Sequence, residues 1–172
     1  MASFAGIGSV NGHQTINHPN GKRLDMTQKL KRDYENGKFD TACFRYYNLN
    51  PAGLITSDCS TRTIACALGI TYGEAIDMQG DAAKRLYLGL TDADLVETVL
   101  LEHGFRRVKM SPVGNGDCRM NAGECAYENT ADGRHVCVMR LAGHFTVARN
   151  GKVEDVWNCS RKVVYRYYLK SA

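Results

Sequence analysis

The chain has no run of apolar residues long enough to cross a bilayer, which takes about 20 in succession, although 44% of its 172 residues are hydrophobic. Its opening, Met1-Ala2-Ser3-Phe4-Ala5-Gly6-Ile7-Gly8, carries neither the basic flank nor the apolar stretch of a secretory signal. A large charge excess is also missing. The 22 basic residues stand against 18 acidic ones, a net charge of +4. That is too mild to argue for nucleic acid, which needs basic residues gathered on one face. Nor do the cysteines suggest a disulfide framework. There are seven, an odd number, at irregular positions 43, 59, 66, 118, 125, 137 and 159, and several sit within apolar runs where a thiol packs as a small hydrophobe. These absences exclude a membrane span and a disulfide-stapled fold. The expectation is a cytoplasmic protein with free thiols, without a membrane or nucleic-acid partner, and large enough for one compact domain.

Along the chain, residues 1–24 are polar, rich in Gly, Asn and His, and aperiodic, which predicts an extended arm or a disordered leader. Met26, Leu30 and Tyr34 recur at fourth positions and predict a short basic amphipathic helix, so 1–40 is read as an arm with a helix and 41–172 as the catalytic domain. Residues 43–57 look irregular. Thr56, Ser57 and Asp58 offer N-cap chemistry for a helix from Cys59 to about Leu68, stopped by Gly69. Thr71 with Glu74 forms a capping box for a second helix toward Met78. Thr91 with Asp94 opens a third, which presents Leu95, Val96, Val99 and Leu100 on one face and ends at Gly104.

From Phe105 the pattern turns to strand. Residues 105–110, 135–141, 144–149, 152–157 and 163–169 are expected strands, with a long polar, glycine-rich connection over 111–133. Helices first and antiparallel sheet second is the α+β order. The Asn150-Gly151 dipeptide predicts a two-residue hairpin turn. Position 149 then faces 152, 146 faces 155 and 144 faces 157, so alternation puts His144, Thr146, Asp155 and Trp157 on one face. Glu154 and Asn158 point the other way. Asp155 is therefore the acid within reach of His144.

Cys59 stands at a predicted helix start, where exposed N–H groups and the helix dipole favour a thiolate. A thiol, an imidazole and a carboxylate in this arrangement suit nucleophilic catalysis, with Asp155 fixing the ring tautomer of His144 and the Cys59 N–H aimed at an oxyanion. Asp58, beside the thiol, would oppose ionisation unless it is neutralised. Arg62, one helical turn on, can do that or can bind a substrate carboxylate. Cys43, Cys66 and Cys137 read as buried, and Cys159 as a packing thiol near the site. Tyr46, Tyr47, Tyr72, Trp157 and Tyr165 are candidates to line a cleft or to pack.

The run Asn50-Pro51-x-Gly53-x-x-Thr56-x-Asp58-Cys59-x-x-Arg62, with Gly143-His144, Asn150-Gly151 and Asp155-Val156-Trp157 downstream, resembles a family of small phage-encoded papain-like cysteine peptidase homologues, distantly like the peptidases that process bacteriocin leaders. The resemblance spans about residues 43–168. It implies a papain-like fold with N-terminal helices packed on a C-terminal antiparallel sheet, Cys59 as nucleophile, His144 as base and Asp155 as third member. It further implies a peptide or protein substrate of host or phage origin, and no cofactor. The family's oxyanion glutamine, a few residues before the cysteine, is missing; Thr56, Asn50 and Asn48 are the residues that stand in that region, and Thr56, Asp58, Arg62 and Trp157 are the substrate-side candidates.

Two other readings stand beside this one. Without its glutamine the fold could serve as a binding module for a host protein. Cys118, Cys125, His135 and Cys137 are metal-ligating types, but Cys-x6-Cys and His-x-Cys do not match the compact spacing of structural zinc sites, so no metal is expected.

Overall fold

The structure, a computed structural model, describes residues 8–10, 13–17, 23–25, 40–109 and 119–171. Near the N-terminus β1 (Gly8–Val10), β2 (His13–Asn17) and β3 (Arg23–Asp25) pair as an antiparallel meander, with Gly8 opposite Thr15 and Thr15 opposite Asp25. An arm without regular structure was expected there. Strands of three to five residues are too short for alternation to show. The expected helix around Leu30 lies outside the described residues.

The main body is α+β. A six-stranded sheet runs in the order β4 (Phe44–Tyr46), β8 (Lys152–Asp155), β7 (His144–Arg149), β6 (His135–Leu141), β9 (Arg166–Ser171) and β5 (Arg106–Val108). It is mixed rather than antiparallel, because β4 runs parallel to β8. Residues 43–57, read as irregular, thus contain an edge strand. Its three residues are fixed by register with β8, Phe44 opposite Val153 and Tyr46 opposite Asp155, rather than by any pattern of their own.

Three helices pack on one face: α1 (Cys59–Leu68), α2 (Tyr72–Leu86) and α3 (Ala93–Glu102). Ile64, Ala65, Leu95, Val96 and Leu100 meet Val136, Val138, Phe145, Val147 and Tyr168 there. The opposite face carries α4 (Ala122–Thr130), whose Ala122, Cys125 and Ala126 meet Cys137, Met139, Ala148 and Val153. Alternate residues of β6 thereby enter two different cores, which is why His135–Leu141 is apolar almost throughout.

α4 was not expected, since its span lay inside the supposed 111–133 connection. Its sequence signal is Asn121 and Glu124, a capping box with both reciprocal hydrogen bonds present. The Thr71–Glu74 box forms as expected, and α2 continues past Met78 to Leu86. At α3 the cap is Asp92, not Thr91. α1 ends as expected, with Gly69 left-handed at φ 69°.

Candidate active site

α1 is enclosed on nearly all sides. Ser60, Arg62, Thr63, Ile64, Ala65, Cys66 and Ala67 are buried, and the small residues among them let the helix lie close to β7 and to α2. Cys59 is its first residue and is half-buried. The ring of His144 and the backbone N–H of Phe145 both act on its sulfur. Burial pushes this thiol up. The His144 bond, the Phe145 N–H and the positive charges of His144 and Arg62 outweigh that and hold it below the ordinary 9.0.

His144 opens β7, and the hairpin gives it its acid. Arg149 faces Lys152 and Val147 faces Glu154, the register of a two-residue turn, with Asn150 at φ 50° and Gly151 at φ 76°. His144 Nε2 donates to Asp155 Oδ2 at 2.6 Å, which leaves Nδ1 for Cys59. Burial alone would lower the pKa of His144. Hydrogen bonds to Asp155, Cys159 and Cys59, with the charge of Asp155, raise it to about 12, so the ring is an imidazolium beside an ionisable sulfur. The Trp157 indole lies against the ring, centroids 5.3 Å apart and tilted by 53°. Asp155 is itself anchored: Val156 N–H donates to its Oδ1 at 2.7 Å, and its carbonyl accepts Tyr47 N–H at 2.8 Å.

Cys159 sits behind this pair, fully buried, with its sulfur 3.7 Å from Asp155 Oδ2. Burial raises its thiol, so it remains protonated and donates to the carboxylate. Two thiols therefore flank one imidazole, one lowered and facing the cleft, the other raised and enclosed.

Asp58 does not cap α1 with its side chain, contrary to the expectation for 56–58. Tertiary partners win the competition for the carboxylate. Oδ1 accepts Arg62 Nη1 at 2.7 Å, and Oδ2 accepts Tyr72 Oη at 2.8 Å and Asn50 Nδ2 at 3.0 Å. Burial and the bond to Asp58 push the Tyr72 hydroxyl up to about 12, which keeps it a donor. Arg62 is buried and also reaches Asp155 Oδ1 at 3.7 Å, so it is the structural ion pair of the two readings and neutralises the acid beside Cys59. Neither local asparagine is spare. Asn48 donates to Leu54 O and accepts Asn50 N–H, while Asn50 accepts Ala52 N–H. Thr56 is exposed and lines the cleft.

That cleft has a volume of about 1040 Å³, and Cys59, His144 and Trp157 form part of its wall. No family model, curated protein or solved structure matches the chain. The site is therefore read from its own geometry. Cys66 is buried against Glu154 and Arg149, and burial lifts its thiol to about 12. Cys43 is lowered, chiefly by the Ser160 hydroxyl, and no imidazole among the described residues contributes to that shift.

The alternative metal set is not gathered among the described residues: Cys118 lies outside them, and buried Cys137 pairs with Cys125. The three ligand types that do converge are His144, Asp155 and Cys159, within 4.8 Å. Nε2 and Oδ2 at 2.6 Å are closer than two ligands of one zinc, about 3.3 Å apart for bonds of about 2.0–2.1 Å. They are a hydrogen-bonded set. The sequence reading missed the Asn50 and Tyr72 clamps on Asp58; tyrosine at 72 follows a capping threonine and carried no mark of its reach.

Proposed function

We propose that the protein is a papain-like cysteine hydrolase that cleaves a peptide or isopeptide bond through a thioester. The observation that carries this is the chain Cys59–His144–Asp155, a lowered thiol on an imidazolium with a 2.6 Å carboxylate contact, opening on a cleft. The Cys59 thiolate attacks the carbonyl carbon, and the tetrahedral oxyanion lies toward the Cys59 N–H at the start of α1. The C–N bond then breaks, and the departing nitrogen takes the His144 proton. Neutral His144 next accepts a proton from water as that water attacks the thioester. Collapse releases the carboxylic acid and restores the thiolate–imidazolium pair. Asp155 keeps the ring oriented, and Arg62 keeps Asp58 from opposing the thiolate. Among the described residues no helix is long and apolar enough to cross a membrane; a cytoplasmic setting and a host or phage protein as substrate complete the reading.

The test is reactivity. Iodoacetamide at pH 7 should label Cys59 first, well ahead of Cys43 and Cys66, and p-nitrophenyl acetate should release a burst of one p-nitrophenolate per chain that Cys59→Ala abolishes. Equal labelling of Cys59 and Cys43, without a burst, removes the nucleophile. The engagement of Asn48 and Asn50 within their own loop favours a second reading, a binding protein on the same fold. It predicts labelled Cys59 but no burst.

A further inference from the structure

The cleft beside Cys59 is lined by arginines and, among the described residues, by no carboxylate. Arg62 is neutralised by Asp58 and Asp155, but Arg119, Arg140 and Arg166 are not part of that set. Arg140 on β6 stands directly opposite Arg166 on β9, so the two side chains leave the same face of the sheet as neighbours. Like charges in that position cost stability, and the fold offsets only one of them. Arg166 Nη1 reaches Glu97 Oε2 at 3.1 Å, whereas Arg140, half-buried, makes no ion pair with a described residue. Arg119 lies over the Tyr165 ring, guanidinium carbon 5.0 Å from the ring centre, which holds it at the same cleft. Arg140 is the strand partner of Phe145, and it lines the same cleft as Cys59 and His144.

We infer that this cleft takes a substrate bearing a carboxylate close to the bond presented to Cys59, held by Arg140 with Arg119. The inference rests on the hydrolase reading for the role of Cys59 and adds to it the charge class of the substrate. Guanidinium is the group suited to the task, since its planar fork matches a carboxylate with two parallel hydrogen bonds. Such a carboxylate would also relieve the repulsion between Arg140 and Arg166. The carboxylate comes from an Asp or Glu side chain or from a chain terminus.

The experiment compares alkylation of Cys59 by iodoacetate and iodoacetamide, the same electrophile with and without a negative charge. In the full-length protein the iodoacetate to iodoacetamide rate ratio should exceed that of free cysteine, and should drop about threefold or more in Arg140→Gln. Arg119→Gln, at an exposed position, should lower it in the same direction and guards against a folding defect in the first variant. Protection of Cys59 by three short peptides then assigns the source: one with a glutamate and an amidated end, one of alanines with a free C-terminus, and the neutral alanine amide. Preferential protection by either of the first two supports the inference and names its carboxylate. A ratio that both arginine variants leave unchanged, or equal protection by all three peptides, overturns it while the hydrolase reading stands. If Cys59 reacts with neither reagent faster than Cys43, the hydrolase reading itself has failed.

Discussion

Arg62 shows how much of the site depends on a single buried cation. Its guanidinium lies between Asp58, next to Cys59, and Asp155, the partner of His144, and it is the charge that lets two carboxylates sit near one sulfur. Removing it leaves Asp58 held only by the neutral donors Asn50 and Tyr72, a change that costs about 3–5 kcal/mol when one member of a buried pair is lost. Arg62→Ala should therefore lower the unfolding free energy by about 3 kcal/mol in urea titration, and iodoacetamide should label Cys59 more slowly at pH 7. A loss below about 1 kcal/mol, with labelling unchanged, would show that Arg62 merely fills space. The sequence made Arg62 legible as an ion-pair candidate because an i, i+4 spacing from Asp58 is local. It could not reveal that Asp58 would abandon its cap, since Asn50 and Tyr72 reach it only through the tertiary fold.

The hairpin of β7 and β8 is the element on which the acid–base pair is built. Its register was readable from Asn150-Gly151, because both positions take positive φ and only a short list of residues does so cheaply. Parity then selected Asp155 over Glu154, and the two side chains meet at 2.6 Å. Glu154 faces the other way, toward Arg149 and Cys66. One glycine inserted between Asn150 and Gly151 should break this hydrogen bond, and labelling of Cys59 at pH 7 should fall about tenfold or more, one pKa unit of lost thiolate stabilisation being a factor of ten. Retention of full reactivity by the insertion variant would mean that another group activates the sulfur. Other elements were less visible. β4 has three residues and owes its register to β8, while α4 hides its capping box within a stretch whose glycines and polar residues read as loop.

For the molecule as a whole, His144 couples protonation to folding. Its folded pKa is raised, to about 12, above the ordinary 6.5. The stability it contributes is therefore full below about pH 6.5 and declines as pH rises toward the folded value. In a Cys59→Ala background, which removes the neighbouring thiol, the advantage of His144 over His144→Gln in chemical unfolding should be larger at pH 6 than at pH 9. An advantage that grows with pH would reverse the assigned direction. The α+β order was evident from the sequence, but the mixed sheet was not: joining β4 to β8 brings together segments more than a hundred positions apart, and no local signal records such a meeting.

The positions of the site residues along the chain also set an order of events during synthesis. The helix bearing the sulfur leaves the ribosome early, while the imidazole and the carboxylate follow at positions 144 and 155. At roughly 5–20 residues per second, the intervening translation takes on the order of 5–20 seconds. Throughout that interval Cys59 lacks the His144 ring and the Phe145 N–H that lower its thiol, and it behaves as an ordinary cysteine until the β7–β8 ribbon has emerged.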